Sequence, residues 1–481
     1  MGLFNLLADV EISLYGQTFD VYLNFIGKII KFLISSVGVV GVGIILFSLA
    51  LKFITLPFDI YQRVSMRKQN IKMKENQARM EKLQKQYAND KNMYNQKVME
   101  MYKENGISMF SSCLPMILSL VIFIVAINAF NAFSQYSNIQ NYNMMVNAYN
   151  ARLESYCADI TEENYSYKNN VITVKSDAED KYIYYTMSYA EVDGAEDAYS
   201  YVQHAPHTEK IFYIDVEKAY NNAEIKAIVD QAVADKINEN KATGTETTEE
   251  MKASVAKDAI KDYFRNQARD AVVTVYNNEV KEKTKFLWIK NIWVKDTTTA
   301  APVLNASQFI QELSARGKFN VDGKKVDVNG IQEYTNVYKD DTYEQITMNL
   351  TEAREDKNGL FILVALSIGT ILLQQFVTMR TQKEQQKYST VDGQGGSQQK
   401  MTMVIMTGMF AIFSFMYSSA FSIYLITSNL FSLMSTLIIN KAVDVSENKK
   451  AQIAMQEKHN QRFPGRVAST SNDKKDNKKS K

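Results

Sequence analysis

The chain has 481 residues, enough for two or three domains, with 46% hydrophobic residues and a formal net charge of +2. These averages hide a strong segregation, because the apolar residues form a few blocks and most charged residues lie between them. The two cysteines, Cys113 and Cys157, fall in segments that we expect at different depths or on different sides of a membrane. A disulfide between them and redox chemistry are therefore not expected.

The first segment, residues 1–36, is predicted to be an extracytoplasmic N-terminus with an amphipathic helix at the membrane interface. Lys28 and Lys31 recur among apolar residues there, although an extension of the next span explains this pattern nearly as well. Residues 37–58 form an apolar block with a single charge, Lys52. About 20 apolar residues cross a ~30 Å hydrocarbon layer as a helix, so this block is predicted to be the first transmembrane helix.

The next segment, residues 59–107, is polar and lacks proline. Basic residues recur beside Leu, Met and Tyr at helical spacing, with a break near residues 88–90, which predicts a helical hairpin. It holds 11 basic and 6 acidic residues, and positively charged loops stay on the cytoplasmic side of a membrane. We therefore expect a cytoplasmic hairpin.

Residues 108–133 are predicted to be the second span, and the long hydrophilic segment 134–357 follows it. This segment has 26 basic and 37 acidic residues, which favours the extracytoplasmic side. Strand-like stretches come first and helical ones follow at about residues 216–240 and 249–269. The pattern predicts an inserted α+β domain.

The remaining spans are predicted at residues 358–378, 401–417 and 419–440, with a cytoplasmic loop at 379–400. Residues 441–481 are basic and end in a lysine-rich stretch, which predicts a disordered cytoplasmic tail. The expected fold is thus an all-α polytopic membrane protein with five transmembrane helices, a cytoplasmic helical hairpin and an inserted α+β extracytoplasmic domain. Its N-terminus would lie outside a bacterial plasma membrane and its C-terminus in the cytoplasm.

The spans contain one ionisable residue of interest, Lys52, which costs a few kcal/mol inside a membrane unless it faces water or a partner. It either lines a wet groove or extends its ammonium group to the cytoplasmic interface, and the chemistry favours neither. The uncharged polar residues of the spans either line the same groove or form hydrogen bonds between helices. No catalytic constellation, metal site or cofactor is expected, and the absence of Asp, Glu, His and Arg from the other spans argues against a transporter.

Several short motifs, taken in order, resemble the YidC family of membrane protein insertases. They begin with the stretch that ends in Lys52 and with Leu56-Pro57, and they continue as Ser65-Met66-Arg67-Lys68, Tyr102-Lys103-Glu104-Asn105-Gly106, Cys113-Leu114-Pro115, Phe286-Leu287-Trp288-Ile289, Leu373-Gln374-Gln375, Gln398-Gln399-Lys400-Met401 and Ser428-Asn429-Leu430-Phe431. The combination covers roughly half of the chain. It leaves out residues 138–284.

The resemblance implies a hydrophilic groove that opens to the cytoplasm and lipid and receives segments of nascent membrane proteins. Lys52 stands where this family usually has arginine, and Leu425 stands where it commonly has an aromatic residue. The implied groove residues are Lys52, Gln374, Gln375, Leu425, Thr427, Ser428 and Asn429. The implied recruitment residues of the hairpin are Arg63, Arg67, Lys68, Lys82 and Lys85.

The expected partners are nascent membrane proteins and the lipid bilayer. The basic tail suggests the ribosome, and the resemblance suggests the Sec translocon and the signal recognition machinery; DNA is not expected. The main alternative is a membrane-anchored binding or sensing protein, in which the extracytoplasmic domain does the work.

Overall fold

The computed structural model describes residues 10–16, 18–106, 110–155, 165–168, 171–175, 182–186, 190–191, 199–200, 210–214, 216–316, 318–321, 323–332, 335–381 and 394–462. The chain divides into two compact units. The domain unit comprises Met1–Gly43, Asn128–Ile362 and Tyr417–Ala420. The helical unit comprises Ile44–Ile127, Leu363–Met416 and Phe421–Lys481.

The described helices follow in chain order. They are α1 (Phe25–Val37), α2 (Val40–Gln86), α3 (Lys91–Glu104), α4 (Phe110–Glu154), α5 (Val216–Asn221), α6 (Ala223–Thr243), α7 (Glu249–Val275), α8 (Lys281–Thr284), α9 (Ala306–Arg316), α10 (Val328–Ile331), α11 (Asp340–Thr347), α12 (Thr351–Glu355), α13 (Ile362–Thr381), α14 (Gln394–Met416) and α15 (Ser419–Arg462). A π-helical turn, Tyr276–Val280, joins α7 to α8.

Three described helices are long and apolar enough to cross a membrane, over Val40–Gln86, Ile362–Arg380 and Ser419–Ala442. A shorter apolar stretch covers Thr407–Met416. The side chains of residues 110–120, which belong to the predicted second span, lie outside the described residues, as do residues 382–393 of the predicted loop. The chain is thus mostly helical with apolar helices, and the number of five spans stays a prediction.

Helix α2 does not end with its apolar block but continues as one helix to Gln86, with Pro57 inside it. After a turn, α3 begins with Asp90 as its N-cap, whose carboxylate accepts a hydrogen bond from the Met93 amide at 3.0 Å. Met73 and Met80 of α2 pack with Met101 and Tyr102 of α3 in a small apolar cluster. Lys72 Nζ also donates to the Asn105 carbonyl at 2.9 Å. The polar segment is therefore held as a helix pair by a methionine-rich contact.

Aromatic contacts join the apolar helices of the helical unit. The rings of Phe53 in α2 and Phe431 in α15 lie edge to face, with centroids 5.2 Å apart. Phe123 of α4 lies against three rings of α14 and α15, those of Phe410, Phe413 and Phe421. Such close van der Waals packing holds helices together where lipid gives no hydrophobic drive between them.

Helix α15 extends beyond its apolar part to Arg462, so the first half of the predicted disordered tail is helical. This stretch contains Ala, Glu, Lys, Gln and Met, which favour helix, and neither Gly nor Pro occurs before Pro464. The disordered tail was expected from the basic charge and the lysine-rich ending, and neither property reports the helix propensity of residues 441–462. Residues 463–481 lie outside the described residues.

The domain unit contains three sheets among its described strands, β1 (Val10–Leu14), β2 (Asp20–Val21), β3 (Tyr165–Lys168), β4 (Val171–Lys175), β5 (Tyr182–Thr186), β6 (Ala190–Glu191), β7 (Tyr199–Ser200), β8 (Lys210–Ile214), β9 (Lys318–Val321) and β10 (Lys324–Asp327). An antiparallel sheet has the order β1-β8-β5-β4-β3. Strands β10-β9-β2 form a second sheet, and β6 pairs with β7.

The core of the domain unit is built from distant parts of the sequence. Helix α4 runs past the predicted end of the second span because its apolar residues Ile139, Tyr142, Val146 and Tyr149 keep helical spacing. They pack with one face of α7 and with residues of α9, β9 and α11, among them Ile260, Phe264, Phe309, Phe319 and Tyr343. The inserted segment is therefore not an independent cassette.

The N-terminal segment belongs to this same domain, because β1 pairs with β8 and β2 pairs with β9. Asn143 Nδ2 donates to the Phe19 carbonyl at 2.9 Å, and Asn150 Nδ2 donates to the Tyr15 carbonyl at 2.6 Å. Helix α1 follows, capped by Asn24. It exposes Phe25 and Phe32 on one side, consistent with the amphipathic helix expected from the sequence.

Candidate functional site

Lys52 lies on α2, in the apolar part of the helical unit, and its side chain is half-buried. Its backbone carbonyl accepts a hydrogen bond from Thr55 Oγ1 at 3.0 Å, so this part of the helix is locally reinforced. Within the part of the chain that the structure describes, the Lys52 ammonium makes no ion pair within 4 Å. In the described residues, no carboxylate therefore neutralises the charge of the Lys52 ammonium at ion-pair distance.

Two further charged residues follow Lys52 on the same helix. Asp59 lies seven residues on, close to two helical turns, and interacts electrostatically with both Lys52 and Arg63. The two terminal guanidinium nitrogens of Arg63 donate to Thr436 Oγ1 at 2.5 Å and to Asn440 Oδ1 at 3.4 Å, both on α15. Lys52, Asp59 and Arg63 therefore form one polar row, and we refer to it as the α2 charge row.

Arg63 was expected on the recruitment surface, and Asp59 was not among the predicted site residues. In the structure, the Arg63 side chain points towards α15 and its guanidinium group is hydrogen-bonded there. The spacing Lys52-x₆-Asp59-x₃-Arg63 was a usable signal, since residues four and seven apart share a helix face. It was missed because Asp59 fell just beyond the predicted span.

Gln374 and Gln375 lie on α13 and are both half-buried. Gln375 Oε1 accepts a hydrogen bond from Thr407 Oγ1 of α14. A second link between the same helices joins the buried hydroxyls of Ser367 and Ser414 at 2.8 Å. Gln375 thus serves at least as an interhelical contact, which was the simpler of the two readings of the uncharged polar residues.

Leu425, Thr427, Ser428 and Asn429 follow one another on α15. Leu425 is only 4% exposed and Ser428 is also buried, whereas Thr427 and Asn429 are half-buried. The Nδ2 atom of Asn429 is buried and has no hydrogen-bond partner in the described part of the chain. An amide donor of this kind is costly in an apolar helix bundle and needs a water or a ligand group to satisfy it.

The predicted groove residues therefore lie on α2, α13 and α15. The Phe53–Phe431 contact brings the neighbourhood of Lys52 next to that of Asn429. The described links of α13 run to α14 instead. The structure therefore brings the α2 and α15 parts of the predicted site together, and the placement of Gln374 and Gln375 beside them stays a prediction.

The remaining residues that were predicted for recruitment lie on the long polar part of α2. Lys68, Lys82 and Lys85 are exposed, and Arg67 is half-buried. In the described segments, no group of three or more His, Cys, Asp or Glu side chains has a geometry that could hold a metal ion.

The sequence of the chain matches a known protein family. A family model described as 60Kd inner membrane protein matches residues 32–188 and 271–448, more than half of the chain. The chain belongs to this family. The matched ranges include α2, α13 and the first part of α15, which carry the predicted groove residues, whereas α6 and most of α7 fall in the unmatched interval. Family membership and the apolar helices together identify a bacterial membrane protein.

Similar proteins of this family bear the name membrane protein insertase YidC. The relative from Caldanaerobacter subterraneus subsp. tengcongensis is 39% identical over 98 residues, which is 20% of this chain and 46% of the relative. The one from Fusobacterium nucleatum subsp. nucleatum is 36% identical over 103 residues, 21% of this chain and 48% of the relative. The one from Clostridium tetani is 43% identical over 84 residues, 18% of this chain and 36% of the relative. The alignments thus span about half or less of each relative, and no solved structure matches.

Proposed function

We propose that this chain is a membrane protein insertase that inserts nascent membrane proteins and helps them to fold. The observation that carries the proposal is the family match, which includes the helix with Lys52 inside its apolar part. The relatives are named insertases, and their similarity is the basis for extending that activity to this chain. No catalytic group, metal or cofactor is required by the proposal.

The proposed topology has five spans, at residues 37–58, 108–133, 358–378, 401–417 and 419–440. Helices α2, α4, α13, α14 and α15 overlap most of these ranges. An extracytoplasmic N-terminus and a cytoplasmic C-terminus agree with the positive charge of segment 59–107 and the negative charge of segment 134–357. Segment 134–357 then lies outside, and the polar part of α2 together with α3 lies in the cytoplasm.

The proposed mechanism rests on the cost of moving polar groups through lipid. A groove lined by Lys52, Gln374, Gln375, Thr427, Ser428 and Asn429 would let a hydrophilic segment of the substrate enter from the cytoplasm while its apolar segment moves into lipid beside Leu425. The polar path through hydrocarbon is then shorter, which lowers the barrier for short polar tails without nucleotide hydrolysis. The unpartnered Asn429 Nδ2 is consistent with a position that water or substrate satisfies.

Charge would decide which segments enter most readily. Lys52 would attract acidic residues of the substrate because an opposite charge is strongly favoured where water is scarce. Asp59 lies near enough to Lys52 to offset part of this attraction. The α2 charge row would therefore prefer moderately acidic segments over basic ones.

The proposed partners beyond lipid and nascent chains fall on the cytoplasmic side. Lys68, Lys82 and Lys85 are exposed on α2 and would receive substrate or the signal recognition machinery, with Arg67 beside them. The helical extension of α15 and the basic residues after it would contact the ribosome. The Sec translocon is a further proposed partner.

The first test is site-specific photo-crosslinking in cells to a stalled nascent chain with a single apolar span. A photoreactive residue at position 425 should capture the nascent chain. Position 438 is the control, because Ile438 lies on the same helix but is 64% exposed, as expected of a residue that faces lipid. Equal capture at both positions, or none at 425, would argue against the groove.

The alternative, a membrane-anchored sensing protein, is favoured by one observation, the extensive core of the domain unit. Deleting residues 138–284 alone would uncover Phe309, Phe319 and Tyr338, so the clean deletion also removes 10–21 and 303–350. A shortened chain that still supports growth of insertase-depleted cells would identify an insertase. A chain that reaches the membrane but fails to support growth would favour the sensor.

A further inference from the structure

A tight turn before α9 places a leucine in an unusual conformation. The amide of Phe286 donates to the Ile289 carbonyl and the amide of Ile289 donates to the Phe286 carbonyl, both at 2.9 Å. Leu287, inside this turn, has a φ of 55° and is 71% exposed. This left-handed backbone region suits glycine or asparagine and is rare for leucine. The backbone at Leu287 is thus locally strained, and its apolar side chain points outward.

The turn is held firmly from behind. The amide of Asn291 donates to Asn358 Oδ1 at 2.7 Å, and Asn358 Nδ2 donates to the Asn291 carbonyl at 2.9 Å. The amide of Ile292 donates to the Thr284 carbonyl at 2.9 Å, which closes the base of the turn. Asn358 is completely buried. Leu287 is therefore presented by a rigid support.

The support also places the turn at the ends of two apolar helices. The ring of Phe286 lies so close to Gly41, at the start of α2, that a Cβ atom there would fall 2.2 Å from it. Asn358 is four residues before α13 begins, and Leu360 between them is 57% exposed. Leu287 therefore lies near the positions where α2 and α13 begin.

We propose that the Phe286–Ile289 turn is a lipid-inserted anchor, with Leu287 and Trp288 entering the edge of the hydrocarbon layer beside the first turns of α2 and α13. The turn satisfies the amide and carbonyl of Phe286 with those of Ile289, which lowers the cost of placing non-helical backbone at the membrane edge. Tryptophan favours this interfacial depth. Trp288 is half-buried and its indole nitrogen is enclosed by the protein, so only the exposed part of its ring would meet lipid. The inference rests on the proposed assignment of α2 and α13 as membrane spans.

The chain provides its own probe, because Trp288 and Trp293 are its two tryptophans. The full-length Trp293→Phe variant in phosphatidylcholine liposomes reports on Trp288 alone. Lipids brominated near the headgroup end of the acyl chain should quench its emission at least twofold more than lipids brominated near the chain end. The matched Trp288→Phe variant reports on Trp293, which is 3% exposed and packs on Phe133, and should be quenched less.

Leu287 is tested in the same background. Leu287→Gly keeps a residue suited to positive φ but removes the side chain, and should reduce lipid quenching of Trp288 while iodide quenching from water rises. Trp288 emission that iodide quenches strongly and lipid does not would overturn the anchor. The anchor would also be overturned if Leu287→Gly left the lipid quenching of Trp288 unchanged. It would equally be overturned if position 287 contacted a nascent chain in place of lipid.

A separate probe distinguishes this inference from the proposed topology. Phe53→Trp, in a chain with Trp288→Phe and Trp293→Phe, reports on the apolar part of α2. Quenching of this probe by lipid without quenching of Trp288 would reject the anchor and leave the span intact. If lipid quenches both probes but the unsubstituted chain shows no insertase activity, the proposed function is rejected and the anchor is retained.

Discussion

Arg63 of α2 donates a hydrogen bond to the Thr436 hydroxyl of α15 at 2.5 Å. The same guanidinium also reaches Asn440 Oδ1 at 3.4 Å and interacts electrostatically with Asp59 on its own helix. A residue that was expected on a recruitment surface therefore joins the first and last apolar helices of the helical unit.

Removing this contact should loosen the α2–α15 pair. A hydrogen bond to a charged group contributes about 1.5–3 kcal/mol when buried, and this one is half-buried, so we expect Arg63→Met to cost about 1–2 kcal/mol. Thr436→Val removes the hydroxyl at similar volume and should cost less. Thermal unfolding in detergent of the single and double variants gives the coupling energy, and additive losses would show that the contact does not stabilise the pair.

Substitution of Lys52 should show whether its charge acts on the substrate or whether its ammonium group only extends to the membrane interface. Lys52→Arg keeps the positive charge, so insertion of acidic-tailed substrates should persist, although the planar guanidinium differs from an ammonium. Lys52→Leu removes it and should lower that insertion by roughly tenfold, the scale of ~1.4 kcal/mol. A protease-protection assay of the translocated tail measures the effect. Normal insertion by the leucine variant would restore the explanation that Lys52 merely extends to the interface.

Asp59 should tune the preference for substrate charge. Asp59→Asn removes the carboxylate that offsets Lys52, so insertion of acidic tails should rise by roughly two- to fivefold, as expected from an interaction of ~0.5–1 kcal/mol. Neutral tails should change little. The comparison uses one substrate with acidic, neutral and basic tails, and the effect should vanish in the Lys52→Leu background. An equal gain for all three tails would point to altered folding or expression.

Leu287→Gly should stabilise the detergent-solubilised protein. Glycine adopts positive φ without the steric cost that leucine bears, a difference of about 1 kcal/mol. Leu287→Ala keeps a Cβ atom and should give little of this gain. Unfolding monitored by tryptophan emission is suited to the question because both tryptophans lie near the turn. A destabilised glycine variant would mean that the leucine side chain contributes packing despite its exposure.

Glu312 should make the domain unit sensitive to pH. Burial raises the pKa of its carboxyl group, and Asn138 Nδ2, which donates to Oε2 at 2.8 Å, partly opposes this shift. Because the folded pKa exceeds the unfolded one, the contribution of Glu312 is most favourable at acid pH and is lost as pH rises through the folded pKa.

Glu312→Gln keeps an acceptor for Asn138 and removes the charge. At pH 7 it should therefore raise the free energy of unfolding of the domain unit, because the neutral amide does not carry the cost of burying a charge. The gain should shrink towards pH 4, where the wild-type carboxyl group is protonated. Thermal unfolding at both pH values is the measurement, and a gain that does not depend on pH would exclude titration of Glu312 as its cause.

The sequence by itself determined the apolar helices, the break near Tyr417 between α14 and α15, and the family. Hydropathy and short motifs are local properties, and each is legible in a window shorter than one helix. Lys52 was identifiable for the same reason, because an isolated charge in an apolar block needs no partner to be noticed.

Only the tertiary structure decided which residues meet. The pairing of β1 with β8 joins residues about 200 apart, and the contact of Arg63 with Thr436 joins α2 to α15. A single sequence does not record such contacts, because they depend on how faces of distant elements pack. The positive φ of Leu287 was equally hidden, since the motif names the residues of the turn but not their backbone angles. The hydrogen bonds of buried Asn358 to Asn291 behind the turn join residues 67 apart.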